Sequence, residues 1–360
     1  MTIIIFIIIL LVLVLVHEFG HFFAAKKQGI YVEEFGFGFP PRLFGKKRGE
    51  TLYSLNLLPI GGFVKLYGEE YHESHKELKH KGKTIPASRA FVNKKPWQKT
   101  IVIVGGVIMN FILGWVLISY LFTVGTPVPN GIKIVEVQKN SPAEDAHLMK
   151  GDHVLYLQQG NEKNEIQTTN DLVELSGTYG DQEVMLGFER DGETSQVQII
   201  PRAQPPKGEG ALGVVITQDS VVKKYPWYQA PFYGLAEAAS MTRRIVVEIV
   251  KIPAQLIAQQ KTKVDFAGPV GIAQVVGEAR AFGLNALLQI VALLSLNLAV
   301  VNILPLPALD GGRLVFILYE WITGKKPNEK LEQHLNTAGI TFLLLLTVLI
   351  TINDIVRLVK

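Results

Sequence analysis

The chain has 360 residues, of which 48% are hydrophobic, and it carries a formal net charge of +4. This composition is typical of a multi-pass membrane protein and leaves room for two or three domains. The sequence contains no cysteine, so it excludes disulfide bonds, a thiolate nucleophile and cysteine metal ligands. Any metal ion must therefore be held by His, Asp or Glu side chains.

The charge is unevenly distributed. Residues 26–99 contain 15 Lys or Arg against 7 Asp or Glu, whereas residues 126–203 contain 6 against 13. Because cytoplasmic loops of membrane proteins are enriched in basic residues, 26–99 is predicted to lie inside the cell and 126–203 outside. Two soluble surfaces of different charge are the alternative, which the apolar segments between them disfavour. The predicted surroundings are a lipid bilayer, and no nucleic-acid partner is predicted.

Four apolar segments are each close to the roughly 20 residues that a helix needs to cross a bilayer. They are residues 3–25, 100–124, 284–304 and 335–352. The N-terminus is then predicted to lie outside, with four crossings along the chain. A cleaved signal peptide at the N-terminus is disfavoured, because no basic residue precedes the apolar run and no small-residue cleavage site follows it.

The first apolar segment contains His17-Glu18-Phe19-Gly20-His21. Positions i and i+4 of a helix lie on one face, so both imidazoles can meet one Zn²⁺ while Glu18 reaches the water on it. Ionisable groups in an apolar segment are costly and usually functional. A structural histidine pair is the alternative for this motif taken alone. The segment predicts a metal site for peptide hydrolysis inside a membrane.

A Gly- and Phe-rich stretch at residues 35–41 follows the first segment, with β-prone runs at 52–57 and 61–66. The separation of the two runs by Pro59 and paired glycines predicts a β-hairpin. We interpret it as a sheet that dips into the membrane beside the first helix, where non-helical backbone needs cover from protein or water. An ordinary cytoplasmic hairpin fits the pattern equally well. Residues 72–95 are predicted to be a basic, mobile loop.

The second apolar segment contains small and polar residues that favour close helix packing, namely Gly105, Gly106, Asn110 and Gly114. After it, residues 126–203 are predicted to form a compact soluble α+β unit. Its predicted strands are 131–137, 153–157, 184–190 and 196–200, and its predicted helices begin near Ser141 and Thr169. Residues 204–282 are a predicted linker with an amphipathic helix at 232–260. That helix either lies on the outer membrane surface or packs against the soluble unit.

A catalytic zinc ion normally has three protein ligands and keeps the fourth position for water, so the histidine pair needs a third partner. Asp310 is the best candidate. Two prolines and two glycines surround it and break the third apolar segment, so the chain can turn the carboxylate back towards the other helices. Taken alone, an Asp-Gly pair after proline is more often a surface turn.

Asn297 and Asn302 lie one and a half turns apart on the third segment. Cleavage of a helical substrate requires local unwinding, and these amides could hold the extended substrate backbone. Interhelical packing by polar residues is the alternative role.

These motifs together resemble the site-2 protease family of intramembrane metalloproteases, in particular the bacterial regulator of sigma-E protease type with a single PDZ domain. The resemblance covers nearly the whole chain. It rests on HEFGH at 17–21, GGFVKLYGE at 61–69, GGVIMN at 105–110, NSPAEDAHLMKGDHV at 140–154, FAGPVGIA at 266–273 and SLNLAVVNILPLPALDGGRL at 295–314.

The resemblance implies that His17, His21 and Asp310 are Zn²⁺ ligands and that Glu18 is the general base. A role in which Glu18 only orients the histidines is the alternative. The resemblance also supports substrate binding by Asn297 and Asn302. A β-strand of the hairpin could also pair with the substrate main chain.

The implied fold is a multi-pass α-helical membrane protein with four transmembrane helices, a membrane-associated β-hairpin and an inserted extracytoplasmic PDZ-like α+β domain at 126–203. Residues 1–125 and 283–360 are then the two membrane regions, joined through the linker at 204–282. The implied location is the bacterial cytoplasmic membrane, with the active site near its cytoplasmic side.

The implied substrates are single-pass membrane proteins that have already been trimmed outside, such as anti-sigma factors, and remnant signal peptides. A membrane adaptor whose PDZ-like domain recruits partners is the alternative function. A metal transporter is disfavoured, because few further polar residues line a path through the membrane.

Overall fold

The structure is a computed structural model, and it describes residues 2–69, 78–80, 83–166, 168–206, 208–257 and 268–359. Parts of three predicted regions lie outside the described residues: the loop at 72–95, the end of the helix at 232–260 and the start of the FAGPVGIA segment. The chain separates into two compact units. We call Met1–Thr123 with Pro226–Lys360 the helical unit, and Val124–Tyr225 the β unit.

Nine α-helices and ten strands follow one another along the described residues. Their bounds are α1 Thr2–Lys27, β1 Val32–Arg48, β2 Thr51–Leu66, β3 Leu78–His80, β4 Lys83–Ile85, α2 Pro96–Val124, β5 Thr126–Val137, α3 Pro142–Asp145, β6 His153–Gln159, β7 Glu162–Glu165, α4 Thr169–Thr178, β8 Val184–Arg190, β9 Glu193–Ile199, β10 Val214–Lys223, α5 Ala230–Ile257, α6 Pro269–Ala281, α7 Leu284–Ile303, α8 Asp310–Thr323 and α9 Glu329–Val359.

Four helices of the helical unit are long and apolar enough to cross a membrane: α1, α2, α7 and most of α9. The four predicted apolar helices are thus confirmed, each with one or both ends shifted by a few residues. α7 ends at Ile303 because Leu304 precedes Pro305, and a residue before proline is driven into extended backbone. The chain then turns through a short irregular segment and enters α8 at Asp310.

Helices α1 and α2 approach each other closely at their glycines. A Cβ placed on Gly20 would lie 2.2 Å from the carbonyl oxygen of Gly105, and a Cβ on Gly105 would lie 2.7 Å from that of Gly20. No side chain larger than hydrogen fits at either position without movement of the backbone. Small residues of this kind let apolar helices pack at short range in lipid.

The β-hairpin differs from the predicted one. Its turn lies at Gly49 and Glu50, so β1 pairs with β2, and the runs 52–57 and 61–66 belong to the same strand. Both runs flank the first half of β1, where Phe35 is opposite both Tyr53 and Val64. The prediction that the two runs pair with each other was wrong, because the Gly- and Phe-rich stretch supplies the partner strand.

Three charged side chains hold the hairpin turn against the end of α1. Glu50 accepts hydrogen bonds from both terminal nitrogens of Arg89, at 2.8 and 2.9 Å, and from Lys26 Nζ at 2.6 Å. Arg89 first, and then Lys26, keep the pKa of Glu50 at about 2, since both stabilise the ionised carboxylate against partial burial.

Helix α5 confirms the helix predicted at 232–260 over the described residues, but its buried face is narrower. Ala230, Gly234 and Ala238 are buried, whereas Leu235 is exposed. A Cβ on Gly234 would lie 2.3 Å from Ser119 Oγ, so α5 packs closely against α2 within the helical unit.

The β unit has a six-stranded sheet in the order β10-β5-β6-β8-β9, with β7 paired to β6. The predicted strands and helices are all present, while β7 and β10 were not predicted. Because β10 pairs with β5, the unit runs to Tyr225 and takes in residues assigned to the linker. Its core is formed by buried side chains of the sheet and α4, including Ile132, Ile134, Leu157, Leu172 and Leu186.

Candidate metal centre

The two histidines of α1 project to one face, as their spacing predicts. Both are buried, and their Nε2 atoms lie 3.1 Å apart. Their rings meet edge to face, with centroids 4.7 Å apart. The α-helix brings positions i and i+4 together, so this part of the site is local to one helix.

Asp310 completes a group of three. Its Oδ2 atom lies 3.0 Å from His17 Nε2 and 3.3 Å from His21 Nε2. Within the residues that the structure describes, these three are the His, Cys, Asp or Glu side chains whose ligand atoms converge closely enough to hold a metal ion. The proline- and glycine-rich turn before α8 places the carboxylate there. Gly311 makes this possible, because a Cβ on it would lie 2.1 Å from the carbonyl oxygen of Leu304.

The geometry of this group fits a tetrahedral zinc ion. Zn–N and Zn–O distances of about 2.0–2.1 Å place tetrahedral ligands about 3.3 Å from one another, close to the three distances found here. The chemistry fits as well. Nδ1 of His21 donates to the carbonyl oxygen of Val102 at 2.9 Å, so in the neutral ring Nε2 carries a lone pair. Asp310 Oδ2 is buried without a hydrogen-bond donor. One cation bound between Asp310 Oδ2 and the two Nε2 atoms would satisfy all three acceptor atoms.

Helix α2 supports both imidazoles from behind. Besides the carbonyl of Val102, it presents Gly106 to the rings. A Cβ on Gly106 would lie 2.5 Å from His21 Nε2 and 2.7 Å from His17 Cε1. The rings therefore occupy the space that any other residue at this position would fill. Sequence reasoning treated Gly106 as a helix-packing residue and missed its contact with the site.

The predicted substrate-binding asparagines lie in different surroundings. Asn302 Nδ2 is 3.4 Å from His17 Nε2 and 3.5 Å from His17 Nδ1, so it borders the metal centre. Asn297 donates to the carbonyl oxygen of Leu293 on its own helix at 3.0 Å. A third asparagine, Asn110, was expected to pack helices, and it does so beside the candidate ligands, with its Nδ2 3.4 Å from Nδ1 of His17.

Glu18 lies beside these candidate ligands in a cleft with a volume of about 220 Å³. A Cβ on Gly62 would lie 3.4 Å from Glu18 Cγ, so β2 passes directly over the Glu18 side chain. The cleft is walled by the ligands and Glu18 together with Phe63, Val64, Leu66, Glu69, Val102, Ile103 and Arg313. Six of its eleven lining side chains are ionisable and the other five are apolar.

Two ion pairs fix α8, which begins at Asp310. Arg313, one turn after Asp310, pairs with Glu69 at the end of the hairpin. Lys99 of α2 pairs with Glu320 at 2.8 Å, and both side chains are largely buried, at 3% and 12% exposure. These pairs connect the helix of Asp310 to the hairpin and to α2. Sequence analysis did not identify them, because charge pairs between distant segments leave no local spacing signal.

Comparisons with known proteins match nearly the whole chain. The model of Peptidase family M50 matches residues 5–346. A Clostridium perfringens (strain 13 / Type A) protein whose name describes a zinc metalloprotease is 35% identical over 347 residues, which cover 96% of this chain and 95% of the relative. Regulator of sigma-W protease RasP from Bacillus subtilis (strain 168) is 29% identical over 430 residues, covering 99% of each. Among solved structures, the PDZ domain of the SdrC-like protein from Listeria monocytogenes matches 25% of this chain and 90% of its own length, with 18% identity and a TM-score of 0.22.

The resemblance to site-2 proteases and the predicted enzyme class, a metalloprotease, are confirmed by the family and these relatives. The names of the relatives agree with the predicted Zn²⁺. Four apolar helices of spanning length agree with a multi-pass membrane protein. Since the family model spans nearly all of the sequence, including His17, His21 and Asp310, this chain belongs to peptidase family M50.

Proposed function

We propose that this protein is an intramembrane zinc endopeptidase that hydrolyses peptide bonds in or near the transmembrane segment of single-pass membrane proteins. The observation that supports this most is the position of the ligand group on α1. His17 lies ten residues before Lys27, or about 15 Å along the helix, so the group sits at bilayer depth if α1 spans the membrane. A soluble substrate would not need a site at that depth.

His17, His21 and Asp310 would hold the ion, which when bound supplies Lewis-acid chemistry that acidifies water and polarises a carbonyl group. Glu18 would accept the proton of the attacking water and then donate it to the leaving amine. The one carboxylate of Glu18 would serve both proton transfers. The reaction would therefore need no second ionisable group as acid or base.

The substrate would bind as an extended segment between β2 and α7. Residues 62–66 of β2 pair with β1 and include three side chains of the cleft wall, which suits the addition of a substrate strand. Asn302 borders the ligands and would hold the substrate backbone close to the scissile bond. Asn297 would first have to release its hydrogen bond to α7, so we expect a smaller contribution from it.

The proposed substrates are trimmed anti-sigma factors and remnant signal peptides. The name of RasP, a regulator of sigma-W protease, supports the first class. We place the protein in the bacterial cytoplasmic membrane. The charge distribution supports a cytoplasmic location for residues 26–99 and an extracytoplasmic location for the PDZ-like β unit.

The test uses the full chain in detergent with a truncated single-pass substrate. Glu18→Gln should abolish cleavage and retain bound zinc, whereas Asp310→Ala should lose both. Cleavage by the Glu18→Gln variant at the wild-type rate would exclude Glu18 as the base. A wild-type chain that binds partners and never cleaves, with or without zinc, would favour the membrane adaptor instead.

A further inference from the structure

Asn110 of α2 is a buried amide beside His17, and its side-chain oxygen has no hydrogen-bond partner. Its side chain is fully buried, its Nδ2 lies 3.4 Å from His17 Nδ1, and its Oδ1 is buried with no hydrogen-bond partner. Buried amide oxygens are rarely left without a donor. The oxygen and nitrogen of an asparagine amide are assigned from the hydrogen-bond network, so the exchange of the two atoms must be considered.

The metal centre decides which orientation is correct. If Asn110 donated to Nδ1 of His17, the proton of the neutral ring would lie on Nε2, the atom that faces Asp310 and His21. That atom could then not bind a cation. With the amide exchanged, Oδ1 accepts from Nδ1–H and Nε2 keeps its lone pair for the metal. One rotation satisfies the orphaned oxygen and prepares the histidine as a ligand.

Asn302 is not an alternative partner for this nitrogen. Its Nδ2 lies at nearly equal distances, 3.5 and 3.4 Å, from Nδ1 and Nε2 of His17. A group equidistant from both ring nitrogens cannot lie along the N–H direction of either one. Asn110 lies within hydrogen-bond distance of Nδ1 and not of Nε2, so of the two asparagines it is the one placed to accept that proton.

The same arrangement is already made at the other histidine. Nδ1 of His21 donates to the carbonyl oxygen of Val102 on α2. Val102, Gly106 and Asn110 are spaced i, i+4 and i+8, so α2 presents an oxygen, a gap for the rings and a second oxygen along one face. The Asn110 backbone is fixed in turn, because Ser295 Oγ donates to its carbonyl oxygen at 2.7 Å.

We infer that Asn110 is a positioning residue of the metal centre, which accepts a hydrogen bond from His17 Nδ1 through its side-chain oxygen and thereby directs Nε2 to the ion. This inference rests on the proposed zinc site. It concerns metal affinity and ligand geometry, and it assigns Asn110 no contact with substrate.

The test measures zinc affinity of the full chain in detergent by competition with a chelator. Asn110→Leu keeps the approximate size and removes the acceptor, and zinc binding should weaken about 10- to 100-fold, the usual effect of losing such a partner. Asn110→Asp keeps an acceptor oxygen and should stay within about threefold of wild type by the same reasoning. Asn297→Leu, the same change at an amide bonded to its own helix, is the matched control and should leave zinc affinity unchanged.

A spectroscopic measurement separates positioning from general loss of structure. The visible spectrum of the Co²⁺-loaded protein should change in Asn110→Leu and be restored in Asn110→Asp. If Asn110→Leu does not fold, Asn110→Ser, whose hydroxyl is too short to reach the ring, should show the same loss relative to Asn110→Asp. Wild-type zinc affinity in the leucine or serine variant would overturn the inference. A wild-type chain that binds no zinc would instead refute the proposed function.

Discussion

Gly106 provides a direct test of how the imidazoles are packed. Replacement by Ala adds one methyl group on the face of α2 that meets the rings. That carbon would lie 2.5 Å from His21 Nε2, whereas ordinary van der Waals contact begins near 3.4 Å. The ring must therefore retreat by about 0.9 Å, or α2 must move away by a similar distance.

The size of the effect follows from the tolerance of a metal site. Metal–ligand distances are held within about 0.2 Å, so a shift of this size breaks the geometry of at least one ligand. Overpacking costs typically reach about 3 kcal/mol. If binding zinc requires the rings to return against the methyl group, that cost opposes binding and lowers affinity about 100-fold.

The assay is zinc content after dialysis against a graded series of chelator concentrations, followed by proteolysis. Gly177→Ala is the matched control, because a Cβ at this helical glycine meets nothing within 4 Å. It should keep wild-type zinc affinity and activity. Wild-type zinc affinity in Gly106→Ala would refute the packing of the rings against α2.

Two further predictions concern ion pairs. The pKa of Glu50, held at about 2 by Arg89 and Lys26, lies below its usual value of about 4.3, so its stabilising contribution is full above about pH 4.3 and is lost as pH falls towards 2. With chelator present to remove metal, the melting temperature should therefore fall less between pH 6 and pH 3 in Glu50→Gln than in wild type. An equal fall in both proteins would contradict this. Lys99→Met should cost about 3–5 kcal/mol because it leaves Glu320 buried and unpaired, and the double variant Lys99→Met/Glu320→Leu should recover most of that loss. Detergent unfolding measures both variants, and a double variant no more stable than the single one would contradict the prediction.

The sequence alone was sufficient for features that depend on neighbouring residues. The spacing of His17 and His21 determines that the two rings share a helical face. Long apolar runs specified the four spanning helices, and the alternating patterns of the β unit specified most of its strands. The acid at a break in the third apolar segment pointed to Asp310, because proline and glycine limit how the chain can continue there. The assignment of these residues as ligands also used the resemblance to a family.

Features that depend on distant contacts required the tertiary structure. The partner of β2 could not be chosen from pattern, since several β-prone runs of similar composition compete for it. The role of Gly106 and the contact of Asn110 could not be predicted either, because the residues of α1 and α2 that meet here are far apart in sequence. His21 and Val102 are 81 residues apart, and His17 and Asn110 are 93 apart. Local periodicity shows which face of α2 its residues share. Only the crossing of α1 and α2 decides that this face meets the metal ligands, and that crossing is set by close backbone contact between glycines.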